Sequence, residues 1–265
     1  MRIRDLALAA ALLVAPAAQV EAQRTGDRAR LVFTVSGAYV ERKGLWSVAS
    51  QPVQDNVGTA LIVDNFALSR GIMPAFGAAL SGIYFPGEHL GITGDAFLIG
   101  LGYEDNCRIT GPALSAQNAQ VCADIDQRER RAAAVTVSGG GVFRLYSREP
   151  ISPFARVTAG LLFSSQSSIL TEGFSEEGVL LTVYDDETNT RVSPSFAIGV
   201  GATMQLGRAY GLRWEVRDNI VGVERVSGPT PGPRVVPPHD RTFKHLFSVL
   251  IGLDVLLERQ RGRRY

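Results

Sequence analysis

Between Leu31 and Glu258 the chain repeats one pattern eight times. Apolar residues alternate with small or polar ones over roughly 31–42, 70–84, 89–104, 130–147, 151–166, 191–206, 210–224 and 242–258. A period of two makes each segment an extended strand with one greasy face and one lean face. The connections are ordered too. Pro86–Glu88, Ser147–Pro150 and Gly207–Tyr210 are tight turns, whereas 43–69, 105–129, 167–190 and 225–241 are long and rich in polar residues, Gly and Pro. Short connections therefore gather at one end of an up-and-down arrangement and long ones at the other. An all-β, closed antiparallel barrel satisfies both constraints, since closure removes unpaired strand edges and a transmembrane barrel segregates its loops by length.

The stretch SPSFAIGVGATMQLG, residues 193–207, illustrates the two faces. Phe196, Ile198, Val200, Met204 and Leu206 suit lipid, while Ser195, Gly199, Gly201 and Thr203 suit a lumen just wide enough for side chains. The 28 glycines are spread through the patterned segments. That is unfavourable in a soluble sheet but fits a crowded lumen. Two further apolar stretches, Thr59–Val63 and Val179–Tyr184, are too short to cross lipid and read as strand extensions or a small cap. A ten-stranded barrel is the alternative, and a lipocalin-like soluble barrel shares part of the loop pattern. No segment after the N-terminus has the 18 or so consecutive apolar residues of a membrane helix.

At the N-terminus, Arg2 and Arg4 precede an apolar run from Leu6 to Ala18, and Val20–Ala22 offers a small-x-small cleavage site. Residues 1–22 read as an export signal, leaving 23–265 as one barrel domain. A formal net charge of +1, with basic residues in both halves, argues against nucleic acid as a partner.

On this architecture, on Gly211–Asp218 (GLRWEVRD) and on the last strand, the chain resembles the eight-stranded outer-membrane barrels related to the OmpA transmembrane domain and the OmpW-type barrels. The resemblance implies an outer-membrane location, with periplasmic turns and termini, extracellular loops, and contact with outer-membrane lipid and lipopolysaccharide. It also implies that the barrel-assembly machinery reads Gly252, Val255 and Leu257 on the last strand. The sequence departs from the family in lacking an aromatic residue at the final strand position and in continuing through residues 258–265.

Few residues suggest chemistry. Cys107 and Cys122, both in the second long connection of an exported chain, suggest a disulfide, with metal binding as the alternative. Of the three histidines, His245 alone raises an enzymatic reading, because some outer-membrane barrels are lipid hydrolases with a lipid-facing His and a Ser on the same face. Ser248 lies three steps away and so points inward. No nucleophile, zinc, phosphate-loop or dinucleotide motif is present, and no cofactor is expected. Arg128–Arg131 and the basic C-terminal tail read as solvated charge runs, with lipopolysaccharide phosphate or periplasmic polyanions as the sharper alternative. Tyr39, Tyr84, Tyr103, Tyr146, Tyr210, Trp214 and Phe247 read as aromatic girdles.

Parity then places Asp95, Arg144, Arg156, Arg213, Glu215, Arg217, Lys244 and Asp254 on the lumen side. Both signs in so narrow a space imply an ion-pair network, with Glu215 and Asp254 bridging the arginines. The expected role is a structural or surface-interaction barrel with a filled lumen; a narrow solute pore and a lipid-modifying enzyme are the alternatives.

Overall fold

The computed structural model describes residues 30–57, 60–147, 149–186, 191–207, 209–230 and 235–258. The export signal read at 1–22 and the tail 259–265 lie outside them. In chain order the described elements are β1 (Arg30–Val40), β2 (Lys43–Val57), β3 (Ala60–Ile72), β4 (Ala75–Phe85), β5 (Leu90–Ile109), α1 (Ala116–Gln127), β6 (Glu129–Arg144), β7 (Ile151–Ser164), β8 (Thr171–Phe174), β9 (Leu180–Tyr184), β10 (Val192–Gln205), β11 (Tyr210–Val226) and β12 (His239–Glu258).

Eight of these strands close an antiparallel barrel in the cyclic order β1-β4-β5-β6-β7-β10-β11-β12. Closure is made by β1 against β12, from Arg30↔Glu258 to Val40↔Ser248, and by β5 against β6. The three tight turns lie at the end where β1 starts and β12 finishes. The ten-stranded alternative fails because β2 and β3 join the sheet only as an appendage: β2 pairs β3, and β3 pairs the far end of β5 from Phe66↔Ile109 to Ile72↔Tyr103.

The alternation determines which face goes where. On β1, Phe33, Val35 and Tyr39 are exposed while Val32, Thr34, Ser36, Ala38 and Val40 are buried; on β10, Phe196, Ile198, Val200 and Met204 are exposed and Ser195 is buried. Exposed aromatics mark two levels of the wall. Tyr39 packs edge-on to Phe76, and Phe196 lies beside Phe243 at the loop end, whereas Tyr84, Phe143, Tyr146 and Tyr210 are exposed at the turn end. Tyr103 corrects the girdle reading: it is buried, because its stretch of β5 has risen above the barrel to pair with β3.

Above the loop end the long connections fold into a cap. The segment read as one strand over 70–84 is two: β3 ends at Ile72, Met73 still donates to the Gly102 carbonyl at 2.8 Å, and Pro74, with no N–H to give, precedes β4. The first long connection is thus mostly a hairpin, and Val179–Tyr184 contributes β9, paired with β8.

Helix α1 has no counterpart in the sequence reading. Its N-cap Ser115 accepts from the Asn118 N–H at 3.1 Å. The Asp64 carboxylate on β3 accepts from the Leu114 and Ser115 amides at 2.9 and 3.1 Å and from Asn118 Nδ2 at 2.9 Å. Val121, Cys122 and Ile125 form the buried side of α1. A disulfide joins Cys122 to Cys107, which lies on β5 itself, with a Cα separation of 5.3 Å. In the chain-entropy view a closure of this length stabilises by about 3 kcal/mol.

Arginine at Val200, an exposed position midway along β10, should cost about 2–4 kcal/mol of stability in lipid vesicles, read by denaturant titration. Unchanged stability would mean this face does not meet lipid. A second expectation concerns acid. Burial alone would raise the Asp64 carboxyl, but the Leu114, Asn118 and Ser115 donors outweigh it and hold it below the usual carboxylate range. A depressed folded value means stabilisation that is full above about pH 4 and is lost as pH falls through the folded value. Amide exchange at Leu114 and Ser115 should therefore accelerate on strong acidification, and Asp64→Asn should remove that pH dependence.

Candidate functional site

The lumen is built in three layers. Nearest the turns, Val32, Ile83, Phe85, Val142 and Phe154 form an apolar cluster. At the loop end, Ala38, Val40, Ala79, Phe97, Ile99, Leu162, Leu246 and Leu250 begin a second cluster that continues into the cap through Leu45, Trp46, Phe66 and Tyr184. Between them lie Asp95, Arg156, Arg213, Glu215, Arg217 and Asp254, each no more than 5% exposed.

Within this middle layer three arginines meet three carboxylates. Glu215 is the hub: Arg217 Nε donates to its Oε1 at 2.8 Å, while Arg156 and Arg213 reach its Oε2 at 3.5 Å each. Arg156 on β7 also pairs with Asp95 on β5, over the intervening β6. Asp254 accepts from the Thr34 hydroxyl at 2.6 Å and from Thr203 at 3.1 Å. Arg213 lies over the Phe154 ring at 3.8 Å, and Arg217 faces Phe97 at 5.6 Å. Because β5 and β11 stand opposite one another in the strand order, the Arg217–Phe97 contact spans the full lumen.

Glycine at 199 is required by space: a Cβ there would come within 2.3 Å of Glu215 Oε1. Buried charges persist only when paired, and every arginine of the layer pairs with a carboxylate, although Arg156 Nε and Asp95 Oδ1 carry no hydrogen bond among the described residues.

Two of the eight lumen candidates lie apart from the layer. Arg144, near the turn end, stacks on Phe85 at 3.9 Å and donates to the Glu88 carbonyl at 2.6 Å. Lys244 lies above the point where β1 leaves β12 and lines an outer cleft, because β12 runs on past Ser248 without a β1 partner. Asp254 differs in role, being held by two threonine hydroxyls while Glu215 alone contacts all three arginines. Thr34, Thr203, Phe97 and Phe154 were not read as site residues. The same parity rule places them inward, but their contacts depend on which strands become neighbours: Thr34 meets Asp254 because β1 and β12 are registered there, and Phe97 meets Arg217 because β5 and β11 stand opposite one another.

A second buried ion pair, absent from the sequence reading, anchors the cap. Arg70 holds Asp105 through two hydrogen bonds, donates to the Leu170 carbonyl at 2.7 Å, and lies between the rings of Trp46 and Tyr103 at 5.5 and 5.6 Å. It ties β3, β5, β2 and the segment before β8 together. Gln51 makes a similar tie, its Oε1 accepting from the Tyr184 hydroxyl at 3.0 Å and the Thr230 amide at 2.7 Å.

The remaining candidates are dispersed. His245 Nδ1 lies 2.7 Å from Asp218 Oδ2 on the outer wall, whereas Ser248 is buried and accepts from Asn219 Nδ2 at 2.9 Å. His89 hydrogen-bonds the Arg144 carbonyl, and His239 that of Pro237. Arg128 pairs with Asp124 and stacks on Phe174. Among the described residues no group of three or more His, Cys, Asp or Glu side chains is placed to hold a metal. Gly252 packs against Ser36 of β1, and Val255 and Leu257 alternate on the outer side of β12.

Comparison of the sequence with known protein families and with curated proteins gives no match. Solved structures do match. The outer membrane protein OprG from Pseudomonas aeruginosa is 8% identical, covers 88% of this chain and 97% of its own, and has a TM-score of 0.50. Neisserial surface protein A, at 10% identity, covers 86% and 97% with a TM-score of 0.42, and the attachment invasion locus protein Ail of Yersinia pestis, at 13%, covers 87% and 100% with a TM-score of 0.42. With its cyclic order of eight antiparallel strands and its length-segregated loops, the chain has the fold of the eight-stranded outer-membrane β-barrels.

Proposed function

We propose that the protein is a non-conducting outer-membrane barrel that presents a folded extracellular cap as an interaction surface. In this reading the tight turns and both chain termini are periplasmic, the outer wall meets outer-membrane lipid and lipopolysaccharide, and the barrel-assembly machinery reads Gly252, Val255 and Leu257 during insertion. One observation carries the reading: the charged layer centred on Glu215 crosses the lumen between opposite walls, with apolar packing on both sides of it. A solute would have to displace paired buried charges, which costs several kcal/mol per uncompensated ion. The lipid-hydrolase reading has less support, since the His245–Asp218 pair has Phe247 and Ile220 as its registered neighbours and Ser248 on the other face.

Refolded protein in planar bilayers should give no stable conductance steps. Steady, large steps from the unaltered chain would instead favour a solute pore. Glu215→Ala leaves three arginines around an empty position and should destabilise the barrel by about 3–5 kcal/mol if the layer is dry, less if water enters. Denaturant titration reads the loss, and flickering conductance in this variant alone would identify Glu215 as part of the barrier.

A further inference from the structure

We propose that the outer rim of the barrel carries a binding cleft for a phosphorylated saccharide. The cleft arises from the topology. The β1–β12 ladder ends at Val40↔Ser248, yet β12 continues to His239 paired only with β11, while the chain after β1 turns away into β2, which pairs only with β3. The parting strands leave a cleft of about 650 Å³ between Arg42, Gly44 and Trp46 on one side and Arg225 and Lys244 on the other. That volume falls among those of small-molecule sites.

Its charge is unevenly compensated. Arg42 pairs with Glu104, and Arg225 pairs with Asp240 through two hydrogen bonds of 2.8 and 3.0 Å. Among the described residues no acceptor reaches Lys244, which is half-buried on the cleft wall and repelled by Arg225 and by Lys43, which stands nearby without lining the cleft. Crowded ammonium groups without a counter-charge are unfavourable, and a bound anion would offset the repulsion. A phosphate monoester supplies close to two negative charges and three acceptor oxygens at neutral pH, enough to take Lys244 together with a guanidinium of the cleft wall, Arg42 or Arg225. Glycine at 44 keeps the wall low: a Cβ there would meet nothing within 4 Å, so the space belongs to the cleft.

The level of the cleft suggests where such a saccharide comes from. Lys244 is flanked on β12 by exposed Phe243, which lies beside Phe196 in the loop-end aromatic band. Aromatic bands lie at headgroup depth. On the outer-membrane reading, on which this assignment of source rests, the cleft opens where glycolipid headgroup phosphates lie.

The test uses the refolded full chain in neutral detergent, probed with a soluble bisphosphorylated disaccharide and with inorganic phosphate as competitor. Saturable binding that phosphate displaces is expected. Lys244→Gln should weaken it tenfold or more, as should Gly44→Trp, which fills the cleft and keeps every charge. Arg30→Gln, at the opposite end of the barrel, should bind like the unaltered chain; the gel mobility of unheated samples verifies folding in each case. Tighter binding to nanodiscs containing lipid A than to the soluble sugar identifies a headgroup, and equal binding identifies a free phosphosugar. The proposal is overturned if neither probe binds saturably, if Lys244→Gln binds unchanged, or if Arg30→Gln loses as much. A barrel that conducts yet binds the soluble sugar at Lys244 would refute the non-conducting reading and leave this one standing.

Discussion

The interior of the barrel is organised around the neutralisation of Glu215. A carboxylate 2% exposed, at the centre of a closed wall, is tolerable only if cations surround it, and Arg156, Arg213 and Arg217 do so from two strands. Those guanidiniums need counter-charge in turn, and Asp95 on β5 supplies it to Arg156. Phe154 and Phe97 cover Arg213 and Arg217 with aromatic faces, and Gly199 leaves the room that the Glu215 head group occupies. Strand register is therefore tied to charge: sliding β11 by one residue would turn Arg213, Glu215 and Arg217 outward together.

Above and below this layer the lumen resembles the core of a soluble protein. The upper apolar cluster has no boundary at the barrel mouth and runs without interruption from Leu250 and Phe97 to Trp46 and Tyr184. Cap and barrel share one core, and the β5 strand, running from Leu90 at the turn end to Ile109 beside α1, is the covalent element common to both. The disulfide from Cys107 and the Arg70–Asp105 pair fasten the cap to that same strand.

The parts legible in the sequence were those governed by a local period. Eight strands, three turns and the inward side of Asp95, Arg156, Arg213, Glu215, Arg217 and Asp254 follow from alternation, a property of neighbours two residues apart. The parts missed depend on partners far along the chain. Helix α1 has few apolar residues, Val121 and Ile125 among them, and its N-terminus is satisfied by Asp64, more than fifty residues earlier. Lys244 obeys the parity rule and still lies outside the lumen network, since parity gives a side but not a height. The join of β3 and β4 was hidden because both alternate, and only Pro74 signals the break.

Strand β2 bears on how copies of the protein coexist in a crowded surface. It pairs on one side only, so its other edge carries an incomplete ladder, the kind of feature through which sheets of separate molecules fuse. Two register shifts interrupt it, between Gly44 and Trp46 and between Val48 and Gln51, and Pro52 follows at once. Bulges bend a strand away from straight pairing, and proline lacks the donor that a neighbour would need. The irregular edge thus keeps the tall sheet beyond the barrel from zipping onto its neighbours, so that a protein with a long exposed hairpin can remain a separate particle when copies are crowded together.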